Sequence, residues 1–203
     1  YALRWAKSLG VWDIGLSHFY GNSRDPLFPF APTLNAKGHA VLTPYYPLIH
    51  QSSLDLQATI DSWLLKLEYI HRSSDLQEYN AVTAGLEYTW YGIFSTVTDL
   101  GLVLEYLYDE RDTEATTPFE NDVMLGLRFT FNDAQSTDAL IGVIQDREKD
   151  STIYSIEASR RLGDAWKLSL ESRFYKLNDE TDQFLYQSVR NDDYIQMELA
   201  YYF

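Results

Sequence analysis

The chain switches from apolar to polar at every second residue, and it does so in about eleven separate stretches. The closing stretch, DYIQMELAYYF, shows the pattern most clearly. Ile195, Met197, Leu199, Tyr201 and Phe203 share one face, and Tyr194, Gln196, Glu198, Ala200 and Tyr202 share the other. Val82, Ala84, Leu86, Tyr88 and Trp90 likewise oppose Thr83, Gly85, Glu87 and Thr89, and Leu100, Leu102, Leu104, Tyr106 and Tyr108 oppose Gly101, Glu105 and Asp109. A period of two is the period of a strand, so the expected fold is all-β, an antiparallel meander spanning residues 1–203 as one domain. Only Thr137 to Asp146 is ambiguous in register, because ALIGVI is continuously apolar.

Composition narrows what the strands build. Cysteine is absent, which removes disulfides and thiolate metal sites. Mean hydropathy is -0.31 and no apolar run approaches the length of a membrane helix, a test that strands pass unnoticed because only alternate residues must be apolar. Sixteen Tyr, ten Phe and five Trp are more amphipathic aromatics than a soluble core needs, and they suit a membrane interface. A net charge of -14 leaves no basic face for nucleic acid. The chain starts on Tyr1 in mid-pattern, which reads as a mature, trimmed or partial chain.

The connections alternate in length. Tight turns are expected at Leu9-Gly10, Asp61-Ser62, Asn132-Asp133 and Gly163-Asp164, with a longer one at Gly92 to Thr98. Longer polar connections fall at 21–47, 73–79, 110–121, 147–151 and 178–191. Trp5, Trp12, Trp63, Trp90 and Trp166 are expected at strand ends beside the short turns, with Tyr20, Tyr69, Tyr108 and Phe174 towards the long loops. Two aromatic belts, short turns on one rim and a terminal aromatic strand together resemble the β-barrels of the Gram-negative outer membrane, of the porin-like kind. The resemblance implies an up-and-down transmembrane barrel in the cell outer membrane, in contact with outer-membrane lipid and lipopolysaccharide. It also implies that Tyr201 and Phe203 serve as the signal read by the barrel assembly machinery. Eleven strands is odd and the first would run towards the periplasm, so a barrel of twelve or more is expected, closed by an upstream segment or a partner strand.

On that reading the polar face lines a lumen, with Lys66, Glu68, Arg72, Glu87, Glu105, Arg128, Glu157, Arg161, Glu171, Arg173 and Glu198 as its candidate lining residues, and Arg4, Lys7, Asp13, Asp55 and Lys167 on the same side. Interleaved signs fit either a hydrated pore for small polar solutes or cross-strand ion pairs that fill a closed interior. The first is the favoured function. The second makes the barrel a non-conducting scaffold or partner-binding component of an envelope complex. The extracellular loop 21–47 holds five of the six prolines and is expected to act as a constriction, a lid, or a surface loop with no role in transport. The acidic runs around 109–120, 146–150 and 179–182 read as solvated faces. No spacing matches a calcium loop, and neither a metal nor a cofactor is expected. Two His-x-Ser pairs, His50-Gln51-Ser52 and His71-Arg72-Ser73, face the apolar side, a layout similar to outer-membrane phospholipase. No third member is evident to orient the histidine, so a lipid-face hydrolase is the remote alternative and no enzyme is expected.

Overall fold

In the computed structural model, which describes residues 1–28, 32–177 and 189–203, one antiparallel sheet accounts for most of the chain. The strands are β1 (Ala2–Leu9), β2 (Trp12–Asn22), β3 (Thr33–Leu34), β4 (Ala40–Val41), β5 (Leu48–Ile60), β6 (Trp63–Ser73) and β7 (Glu78–Trp90). They continue with β8 (Asp99–Asp109), β9 (Asn121–Thr130), β10 (Asp138–Asp146), β11 (Thr152–Leu162), β12 (Trp166–Lys176) and β13 (Tyr194–Tyr201). Eleven of them pair in sequence order, β1-β2-β5-β6-β7-β8-β9-β10-β11-β12-β13, while β3 and β4 form a separate small hairpin. Among the described residues the sheet is open: β1 pairs only with β2, and β13 only with β12. Because every step is antiparallel, β1 and β13 run in the same direction.

Cross-strand partners share a face, so the register carries the two-residue pattern across the whole sheet. One row reads Leu86, Leu104, Leu125, Val143, Tyr154 and Phe174, and a neighbouring row on the other face reads Glu87, Val103, Gly126, Gly142, Ser155 and Arg173. The ambiguous β10 is settled by its neighbours. Ile141 opposes Leu127 and Ile156 on the apolar face, and Leu140 opposes Arg128 and Glu157 on the polar face. Lys7 differs from expectation. It opposes Ile14 and so falls on the apolar face, where its position near the end of β1 lets the charged head reach water.

No second layer covers the apolar face. Leu125 is 45% exposed and Leu199 55%, and Leu102 is half-buried. Of the buried apolar side chains, Ile49, Tyr79, Val103 and Ile153 lie on the polar face, whereas the small Ala58, fully buried, lies on the apolar face between Trp12 and Leu65. A soluble sheet does the reverse, hiding its apolar face and wetting the polar one. The strand glycines fall on one side as well. Gly15, Gly85, Gly101, Gly126 and Gly142 all lie on the polar face. A Cβ on Gly15 would meet Asp55 Oδ2 at 2.8 Å and Arg4 Nη2 at 3.2 Å, and one on Gly85 would meet Glu105 Cγ at 3.1 Å. Missing side chains give room where a sheet bends towards that face.

The connectors are less regular than the sequence suggests. Those at 10–11, 61–62 and 163–165 are tight, with Gly10, Asp61 and Gly163 at positive φ (63°, 51° and 65°). The link at 131–137 is longer than a tight turn, because Asp133 organises it. Asp133 accepts the Thr137 main-chain N–H at 2.8 Å and the Thr137 hydroxyl at 2.7 Å, and these bonds hold its carboxyl below the usual carboxylate range. On the other rim, 74–77 closes as a compact turn around Ser74 rather than a long loop. Loop 23–47 carries the β3–β4 hairpin, with Leu34 and Leu42 exposed and its base fixed by the Leu27–Tyr45 bridge. Residues 29–31 of that loop, and Asp179, Glu180 and Asp182 of the last acidic run, lie outside the described residues.

Candidate functional site

The ends of the polar face differ in kind. At the rim where 23–47, 110–120 and 147–151 emerge, side chains the sequence reads as solvated are buried. Glu120 is 2% exposed, Asp146 2% and Asp109 5%. In the 109–120 and 146–150 runs, Arg111 and Lys149 draw acidic neighbours inward. Lys149 Nζ contacts Glu120 Oε1 and lies 3.0 Å from Asp112 Oδ1, tying loop 147–151 to loop 110–120. Asp146 shapes the same turn by accepting the N–H groups of Glu148 and Lys149 at 2.7 and 2.8 Å. Arg111 forms a two-pronged pair with Asp109 (2.8 and 2.6 Å) and stacks over the Tyr79 ring at 3.8 Å. Burial pulls the Arg111 pKa down, but hydrogen bonding and charge from Asp109 raise it on balance, so the guanidinium stays charged. Arg72, the cross-strand partner of Tyr79, approaches the same ring at 5.7 Å, hydrogen-bonds Gln51 at 2.8 Å and lies 3.8 Å from Asp25.

Beneath this cap, Asp122 is fully buried and directly opposes Asp146. Asp122 Oδ1, Asp146 Oδ2 and Glu120 Oε2 have no hydrogen-bond partner. Among the described residues, no three such ligands stand close enough to hold a metal ion. The sequence signal for this cap was present but not used: a single Arg in YDERD and a single Lys in DREKD, each surrounded by acids.

Further along the polar face, Glu87 joins Lys66 (2.8 Å) to Arg128 (3.0 Å), and Arg173 joins Glu157 (3.2 Å) to Glu171 (3.3 Å). Arg4 reaches Asp55 at 3.2 Å across the intervening β2. Glu68, Glu105, Glu198 and Arg161 share the face but make no ion pair within 4 Å among the described residues. The face therefore brings together most of the expected lining residues as short-range pairs, with recesses between them. One, of about 270 Å³, is bordered by Arg4, Asp55 and Lys66, and another, of about 260 Å³, by Glu68, Thr83 and Phe119. Phe119 and Thr117 bring loop 110–120 onto the polar face, where Asp25 of loop 23–47 also approaches Arg72.

On the opposite face, Trp12, Trp63, Trp90 and Trp166 each occupy the first or last position of a strand, next to connectors 10–11, 61–62, 91–98 and 163–165. Trp5 departs from this: it lies mid-strand, because β1 continues to Leu9. Aromatic contacts extend the belt, with Trp63–Tyr88 at 4.5 Å, Tyr88–Trp90 at 4.7 Å and Trp166–Tyr201 at 4.8 Å between ring centres. Phe203 and Tyr201 stack at 6.3 Å on the free edge of β13.

The two His-x-Ser pairs meet on adjacent strands. His50 opposes Ser73 and Ser52 opposes His71. His18 Nδ1 lies 3.0 Å from Ser52 Oγ, and His71 Nδ1 lies 3.1 Å from Asn80 Oδ1, an orienting partner that the sequence did not reveal. The hydroxyl of Ser52 thus has His18 as its imidazole partner, while His71 lies 3.7 Å from Glu78 Oε1. Comparison with protein-family models, curated proteins and solved structures finds no match to this chain.

Proposed function

We propose that this chain forms part of an outer-membrane β-barrel of the porin-like kind, admitting small polar solutes past a charged polar face. The carrying observation is the inversion of the sheet: large apolar-face side chains such as Leu125 and Leu199 are 45% and 55% exposed, while Ile49, Tyr79, Val103 and Ile153 are buried on the face that also holds the ion pairs. Lipid is the solvent that makes such an arrangement stable. The four terminal tryptophans and their Tyr contacts suit a headgroup boundary, and glycines confined to the polar face suit curling in that direction. Outer-membrane lipid, lipopolysaccharide and the assembly machinery are then its surroundings, with Tyr201 and Phe203 offered on β13. An edge left open in hydrocarbon strands unpaired N–H and C=O groups, each costing several kcal/mol. Since β1 and β13 run the same way, one strand of opposite direction between them is antiparallel to both and closes an even barrel.

A second reading has its own observation. Loop 110–120 lies on the polar face and is locked by Lys149, which favours a closed barrel acting as a scaffold or partner-binding component. Planar-bilayer recording separates the two. The pore reading expects discrete open steps from the purified protein, and persistent silence at active reconstitution densities rejects it in favour of the scaffold.

A further inference from the structure

We infer that Arg161 and Lys167 form a binding site for a small hydroxylated organic acid at the short-turn end of the polar face. Basic side chains on this face are otherwise neutralised: Arg4, Lys66, Arg72, Arg128 and Arg173 each have a carboxylate within 4 Å. Arg161 and Lys167 have none among the described residues, and they are direct cross-strand partners on β11 and β12. Like charges placed opposite one another destabilise a strand pair, and among the described residues no carboxylate lies within 4 Å of either to form an ion pair. The pair is held in place by its backbone, since the Arg161 N–H donates to the Gln135 carbonyl at 2.9 Å.

Both cations border a recess of about 500 Å³, a volume suited to a small solute. Its other walls define the ligand. Tyr202 supplies apolar surface, and Asp138 and Asp164 supply acceptors. Asp138 also accepts the Ser159 hydroxyl at 2.8 Å, which fixes its carboxylate. A carboxylate on the ligand is matched by the Arg–Lys pair through charge-assisted hydrogen bonds. Hydroxyl donors on the ligand are matched by the two aspartates. A polyanion is disfavoured, because the same two aspartates repel a second negative group. The binding claim rests on the sheet register alone, and its consequence for permeation rests on the pore reading.

The test is calorimetric titration of the full chain, folded in detergent, with D-gluconate as probe and inorganic phosphate as the comparison anion. Saturable one-to-one binding of gluconate is expected. Arg161→Gln and Lys167→Gln are each expected to weaken it about tenfold, the usual effect of removing a hydrogen bond to a charged group. Lys167→Arg retains it. Arg160→Gln, which removes the same charge on the apolar face, leaves it unchanged. Absence of saturable binding by the parent protein overturns the proposal, as does an equal loss in Arg160→Gln, which would reduce the effect to net charge. Saturation by phosphate but not by gluconate overturns the assignment of ligand class. Should gluconate bind while planar bilayers stay silent, the site stands and the pore reading falls.

Discussion

Leu125→Arg is expected to destabilise the folded protein in a bilayer or detergent micelle by about 2–4 kcal/mol, the range for a cationic side chain at mid-depth on the lipid face of a barrel. Leu125 lies in the middle of the apolar face, flanked by Leu104 and Val143 on neighbouring strands, and is 45% exposed. The two possible solvents give opposite answers. In water, arginine at a half-exposed surface position is nearly neutral, within about 0.5 kcal/mol. In hydrocarbon the guanidinium loses its hydration and finds no counter-ion on this face. Urea unfolding in micelles measures the difference. The companion variant Met124→Arg, one residue away on the polar face, controls for strand propensity and is expected to cost less than Leu125→Arg.

Lys149→Met is expected to cost about 3–5 kcal/mol, because it leaves Glu120 buried as an unpaired carboxylate. Glu120 is 2% exposed and already has one oxygen without a partner, so no other group takes over the charge. Loops 110–120 and 147–151 should loosen together, since Lys149 is shared by Glu120 and Asp112. Adding Glu120→Leu removes the stranded charge and is expected to restore most of the lost stability. A double variant no better than Lys149→Met would show that the lysine acts through something other than this pair. Limited proteolysis within 110–120 reads the loosening directly.

The two predictions draw on parts of the molecule that were unequally legible. Strand existence, the order of pairing and the partition into faces follow from alternation, because a register slip of one residue would expose every polar-face side chain to the wrong solvent. That logic placed all eleven candidate lining residues on one face and all five tryptophans on the other. It failed where alternation carries no information. The run ALIGVI looks identical in either register, and only Leu127 and Ile156 on the flanking strands decide it. Trp5 is expected at a strand end, yet main-chain pairing with β2 continues past it to Leu9. The acidic loops were misread for a different reason. Composition describes their charge but not their partners, and Lys149 lies 37 residues from Asp112 and 29 from Glu120. Contacts of that range depend on the sheet that brings the loops together.

Proline content likewise pointed to 23–47 as the segment over the mouth. Proline does stiffen a chain, but stiffness says nothing about direction. Both loops reach the polar face: Asp25 of 23–47 lies 3.8 Å from Arg72, and 110–120 buries Ala115 and Glu120 and places Phe119 at the recess beside Glu68 and Thr83. The orienting partner of His71 was missed because Asn80 belongs to the next strand, and an isolated Asn in sequence carries no sign of that pairing.

The central claim is that the exposed apolar face meets lipid while the opposite face meets water. It is tested most directly by nitroxide scanning of β9 in proteoliposomes, one labelled position at a time from Val123 to Phe129. The account predicts a period of two: high oxygen accessibility at Val123, Leu125, Leu127 and Phe129, and high accessibility to a water-soluble nickel chelate, or burial, at Met124, Gly126 and Arg128. Equal access of the nickel reagent to Leu125 and Leu127, with no oxygen maximum on either face, would contradict it.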